Sequence, residues 1–259
     1  MTEALLAGLF GLVIGSFLNV CIHRWPRDLS VTWPGSRCPN CGHPIRWYDN
    51  VPVWSYFALN ARCRHCLGAI HWRYPLVEGL TAGLFFLAAA KWGLTPIAGK
   101  LALFAAIQLG VIFADIETRL LPDQFTKGGI LLGLAAAWIA PLPDSSLGWW
   151  MPALDPRLVS LVDCGLAAAI SAGTLWLIGV AYSRLRHREG LGFGDVKLVA
   201  AMGAFLGISH TFGAVFLGCV AGTAIGLGYI WLSKKDLSTY ELPFGSFLGA
   251  AAIVVAFWG

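Results

Sequence analysis

Two cysteine pairs, Cys38-Pro39-Asn40-Cys41 and Cys63-Arg64-His65-Cys66, are separated by twenty-one residues, Gly42 to Arg62. At that spacing two tight turns can each present two thiolates to one metal ion. Four thiolates complete a tetrahedron and leave no open position, so the expected ion is zinc with a structural part. His43, His65 and His71 lie close in sequence, but with four cysteines available each is expected to be solvated or to stand behind the ligands. Two acids suggest a different chemistry. Asp115 closes the run Val111-Ile112-Phe113-Ala114, and Asp195 follows Gly192-Phe193-Gly194. A carboxylate at the edge of hydrocarbon is costly unless it faces a polar cavity, so such acids mark function. If the two converge, repulsion keeps both from ionising: the ionised one activates water and the protonated one donates to a carbonyl oxygen, which is aspartic proteolysis. Taken singly, Asp195 also suits a helix N-cap and Asp115 a helix-end charge paired with Arg119. Gly192 and Gly194 would clear one wall for a peptide backbone.

These groups must be positioned by apolar elements, because 57% of the 259 residues are hydrophobic and only 12% charged. The chain reads as an all-α polytopic membrane protein of about eight transmembrane helices with a small cytoplasmic zinc-binding insert. The apolar runs are Ala4–Ile22, Pro75–Trp92, Ile97–Asp115, Phe125–Ala140, Val159–Tyr182, Asp195–Gly207, Thr211–Leu232 and Phe244–Trp258. Three regions follow: an anchor over 1–22, the insert over 23–74 and a helical bundle over 75–259. With eight spans, fifteen of the eighteen Lys and Arg residues fall on one side, leaving Lys91, Lys100 and Arg157 opposite. Positive charge is retained in the cytoplasm, which puts the insert, Asp115 and Asp195 there and both termini outside. The first segment has no basic residue before it and reads as a retained anchor rather than a cleaved signal. In that reducing compartment the cysteine pairs favour metal over disulfides. Cys21, Cys164 and Cys219 read as small apolar fillers. Gly11/Gly15, Gly203/Gly207 and Gly218/Gly222/Gly226 read as close helix contacts.

In order and spacing, several motifs resemble those of the bacterial type IV prepilin peptidases over nearly the whole chain. They are Gly15-Ser16-Phe17-Leu18-Asn19-Val20 with His23-Arg24, the two cysteine pairs, Arg46-Trp47-Tyr48-Asp49-Asn50-Val51-Pro52, Arg73-Tyr74-Pro75-Leu76-Val77-Glu78, Leu121-Pro122-Asp123 and Gly192-Phe193-Gly194-Asp195-Val196-Lys197. The resemblance implies a multi-pass enzyme of the bacterial inner membrane. Such an enzyme cuts the basic leader from prepilins or type II secretion pseudopilins on the cytoplasmic side, then N-methylates the new terminus with S-adenosylmethionine. Carried onto this chain, the catalytic pair is Asp115 and Asp195. Asp123 is the rival acid, and its place before an apolar run suits a cap. The methyl donor would sit between the insert and neighbouring helices, with Glu78 and Asn19 as candidates. The expected partners are prepilin substrates and the lipid bilayer, with no nucleic acid. Two other readings use the same residues: a proton-coupled transporter with a regulatory zinc insert, and a scaffold docking partners through a zinc ribbon.

Overall fold

The structure, a computed structural model, describes residues 1–187, 192–233 and 243–259. Arg188, Lys234 and Lys235, which enter the charge count, lie outside the described residues. Regular structure among the described residues is helical: α1 (Thr2–Arg24), α2 (Trp54–Ala58), α3 (Arg73–Trp92), α4 (Pro96–Thr118), α5 (Asp123–Ile139), α6 (Pro156–Arg186), α7 (Phe193–Ser233) and α8 (Phe244–Trp258). The eight expected spans fall on α1, α3, α4, α5, α6, the two parts of α7, and α8. Four segments are long and apolar enough to cross a membrane by length and composition, namely Thr2–Arg27, Pro96–Thr118, Pro156–Arg186 and Phe193–Gly226, and α8 is a shorter apolar helix.

The chain forms two compact units, Met1–Gly110 and Val111–Gly259. In the first, α1 packs on α3. The contact is a backbone one, since a Cβ at Gly11 would stand 2.8 Å from Ala82 Cα and one at Gly15 2.7 Å from Glu78 Cα. Without a hydrophobic drive between helices in lipid, such small-residue stripes let dispersion hold the pair. The polar insert joins this pair through buried groups. Glu78 of α3 accepts the Val53 N–H at 2.7 Å, and Asn19 of α1 donates to the Tyr74 carbonyl at 3.0 Å.

The second unit is built on α7, which packs against α5, α6 and α8. A Cβ at Gly203 would press on the Ala167–Ala168 backbone of α6, so that glycine does make the expected close contact. Gly207 does something else. It sits at φ 73°, ψ −178° and breaks α7, a conformation open essentially to glycine alone. Beyond the break the helix restarts with unpaired N–H groups, and Asp163 of α6 meets them: its Oδ1 accepts the Ile208 N–H at 3.0 Å. The other oxygen of Asp163 takes the Ser145 hydroxyl at 2.6 Å and the Ser146 N–H at 2.8 Å. This acid, buried to 1% exposure inside an apolar run, has no part in the sequence reading.

Candidate active site and metal centre

Both candidate acids belong to the second unit. Asp115 lies in the last turn of α4 and is buried, at 5% exposure, while Asp195 in the first turn of α7 is half-buried. Leu121 bridges their surroundings. A Cβ at Gly194 would stand 3.2 Å from Leu121, and one at Gly245 would stand 3.0 Å from Leu121 and 3.3 Å from Asp115 Oδ2. Gly194 therefore makes room for Leu121, and of the two glycines only Gly192 stays exposed beside the acid. Asp115 Oδ2 accepts the Ser246 N–H at 2.8 Å and the Ser246 hydroxyl at 2.9 Å. Nothing in the sequence reading singled out Ser246, because its partner lies 131 residues away.

Asp123 is placed differently. It is the first residue of α5 and makes no capping bond; Pro122 holds the cap position. Its carboxylate is exposed and ion-paired with Lys127 at 2.7 Å and with Lys197. Two cations on one surface carboxylate hold it below the usual range and keep it ionised.

The cysteine pairs belong to the first unit and form two similar turns. Cys38 N–H donates to the His43 carbonyl at 2.9 Å and Gly42 N–H to the Cys38 carbonyl at 2.9 Å; Cys63 N–H donates to Gly68 at 2.8 Å and Leu67 N–H to Cys63 at 3.0 Å. Gly42 and Leu67, each just after the second cysteine of its pair, both adopt positive φ, 68° and 57°. Each turn is clasped at its base by one isolated bridge, Arg37 with Pro44 and Arg62 with Ala69. The four Sγ atoms lie within 4.8 Å of one another. Backbone N–H groups of Cys66 and His65 hold the Cys63 thiol down to about 7, whereas at Cys66 the Gly68 N–H is outweighed by desolvation and the neighbouring thiols, which push it up to about 11. Around the quartet, the His43 and His65 rings meet with centroids 3.4 Å apart and planes tilted by 35°. Arg64 grips Asp49 through Nε (3.0 and 3.1 Å) and a terminal nitrogen (2.6 Å), holding the Asp49 carboxyl below the usual range and tying the second turn to the rest of the insert.

Glu78 and Asn19 are both buried, and the bonds of Glu78 to the Val53 N–H and of Asn19 to the Tyr74 carbonyl lie at the joints of the first unit. Next to them a cavity of about 350 Å³ opens between α1 and the insert, its lining including Ser16, Phe17, Arg24, Ser36 and Asn50. The Arg24 guanidinium shapes one wall by donating to the carbonyls of Ser30, Pro34 and Gly35. Of the remaining cysteines, Cys21 and Cys164 are buried in helices as expected of fillers, and Cys219 is half-buried.

Residues 9–92 match the family model described as the bacterial peptidase A24 N-terminal domain, and residues 100–227 match that of the type IV leader peptidase family. The chain is 36% identical to a prepilin leader peptidase/N-methyltransferase of Aeromonas salmonicida, covering 97% of this chain and 89% of the relative. A protein of the same description from Burkholderia pseudomallei is 35% identical over 96% of this chain and 83% of its own length. Another, from Pseudomonas aeruginosa, is 32% identical over 97% and 89%. No solved structure matches the chain.

Proposed function

The chain belongs to the bacterial type IV leader peptidase family, and from that premise we propose that it removes the basic leader of type IV prepilins or type II secretion pseudopilins and then methylates the new N-terminal amine. The cut would be made at the cytoplasmic face of the inner membrane, the side to which the basic segments assign Asp115 and Asp195. What supports this reading is that Leu121 borders both Gly194, the neighbour of Asp195, and Gly245, whose Cβ position lies 3.3 Å from Asp115 Oδ2. Between them the pair would share one proton. One carboxylate takes a proton from water as its oxygen adds to the scissile carbonyl carbon, and the other protonates the carbonyl oxygen. Collapse of the tetrahedral adduct breaks the C–N bond, and the departing amine takes up a proton. The transport reading finds no support in these matches.

The cysteine quartet fits zinc. A tetrahedron with Zn–S bonds of about 2.3 Å has edges of about 3.8 Å, and Cys38 Sγ and Cys66 Sγ are 3.8 Å apart. Cys38, Cys41, Cys63 and Cys66 would hold the ion, whose part is to staple an insert too poor in aliphatic residues to build a core. The methyl donor, S-adenosylmethionine, supplies the methyl group when bound. The cavity between α1 and the insert fits it in size and in its mix of an aromatic face with polar groups, with Phe17, Ser36 and Asn50 as its contacts. Glu78 and Asn19 would support that cavity through the joints they make.

The test is incubation of the purified full chain with a synthetic prepilin N-terminal peptide, with and without the methyl donor, read by mass spectrometry. Cleavage is expected in both cases and methylation only with the donor. Asp115→Asn and Asp195→Asn should each abolish cleavage while methylation of an already cut peptide persists. Near-normal cleavage by either variant would remove that residue from the pair.

A further inference from the structure

The first turn of α8 is joined to Asp115 in a way that sequence position alone does not suggest. Ser246 is the third residue of α8, and its N–H is a helix-end donor that has only the Pro243 carbonyl, at 3.2 Å, on its own segment. The cap position is occupied by Pro243, which offers no side-chain acceptor. Asp115 supplies that acceptor from α4: Oδ2 takes the Ser246 N–H at 2.8 Å, more closely than the Pro243 carbonyl at 3.2 Å. The Ser246 hydroxyl stands 2.9 Å from the same Oδ2 and 3.1 Å from the carbonyl of Ile112, three residues before Asp115 on α4. One serine thus binds the carboxylate through its N–H and places its single hydroxyl proton between that carboxylate and the backbone that carries it. Gly245 makes the approach possible, since a Cβ there would come 3.3 Å from Oδ2 and 3.0 Å from Leu121.

We propose that Ser246 is a positioning residue of the acid pair: it fixes the Asp115 carboxylate through Oδ2 and leaves Oδ1 as the oxygen that meets the reacting water. The proposal rests on the peptidase reading above. It assigns the two oxygens of Asp115 different work, one anchored in the first turn of α8 and one turned to chemistry. A carboxylate free to rotate would spend much of its time out of line with water and with Asp195, and misplacement by a fraction of an ångström is enough to slow a reaction of this kind.

The experiment compares Ser246→Ala, Ser246→Thr and Asp115→Asn in the full chain reconstituted in lipid, with prepilin-peptide cleavage and methylation of an already cut peptide measured side by side. Loss of a hydrogen bond to a charged group should lower the kcat of Ser246→Ala about 10- to 100-fold. KM should stay within about twofold, as expected of a buried residue that acts through Asp115. Ser246→Thr, which keeps the hydroxyl, should recover most of the rate, and methylation should be unchanged in both. A Ser246→Ala kcat within about twofold of the unaltered chain would overturn the proposal; so would a parallel fall in methylation, which would make the serine a general stabiliser. Normal cleavage by Asp115→Asn is a separate result, because it would overturn the acid-pair reading itself, whatever Ser246 does.

Discussion

At the scale of single residues, one side-chain type does four different things in this chain, and its neighbours decide which. Asp123 is held by two lysines at the surface, Asp163 caps a broken helix, Asp115 is gripped by Ser246, and Asp195 stands half-buried in the first turn of α7. Sequence distinguishes these roles poorly, because each partner comes from elsewhere in the chain. Asp163 and Ile208 are 45 residues apart, and Asp163 carries no local motif. The cysteines are the opposite case, since each turn is closed within about six residues by its own backbone bonds and the spacing encodes the geometry. That locality yields a clean prediction for the metal. Purified protein should contain about one zinc per chain. Cys38→Ser, at the most buried of the four ligands, should lose it. Without the ion the insert should unfold and become open to trypsin at its many arginines, while the helices of the second unit remain protected. Metal-free protein with a protease-resistant insert would show that the quartet does not depend on zinc.

At the scale of elements, the apolar runs place the helices well, because length and hydrophobicity are additive over a segment. Tertiary detail at one residue is what they miss. The runs Asp195–Gly207 and Thr211–Leu232 suggest two spans with a connection, whereas the chain keeps helical structure throughout and turns at Gly207 alone. A break so short leaves helix-end N–H groups in an apolar setting, where each unsatisfied group is costly. Asp163 satisfies one of them and ties the 145–146 segment to the same point. Asp163→Ala should therefore destabilise the second unit by about 1–3 kcal/mol, the cost of stranding buried donors. Gly207→Ala should cost a similar amount, about 1–3 kcal/mol, from forcing a Cβ into this backbone conformation, with Leu142 already 2.7 Å from where that Cβ would lie. Thermal unfolding in detergent measures both. The double variant should lose less than the sum, because both residues serve the same break. Full additivity would show that Asp163 and Gly207 act independently.

At the scale of the whole molecule, the positions of these groups along α7 bear on how it sits in lipid. Asp195 lies in the first turn of the helix and Ile208, bonded to Asp163, follows the break, thirteen positions later. At 1.5 Å per residue the two are about 20 Å apart, less than the roughly 30 Å of a hydrocarbon core. The first part of α7 therefore cannot carry both polar clusters clear of the lipid. Asp163 is the one equipped for immersion, with 1% exposure and three donors, whereas the half-buried Asp195 is suited to the interface. Charge agrees with this placement: Arg119 and Lys127 flank the Asp115 end, while the 140–155 segment carries Asp144 and Asp155 and no lysine or arginine. Sidedness is then testable with an impermeant maleimide on sealed vesicles of either orientation, after subtracting labelling of the native cysteines. Glu117→Cys should react only when the cytoplasmic face is exposed, and Asp144→Cys only from the opposite face. Cysteine at 163 should stay unlabelled from both sides until the protein is unfolded, as expected of a site below the interface. Labelling of position 117 from the outer face would place Asp115 on the side where no basic leader remains, and the proposed cleavage could not occur there.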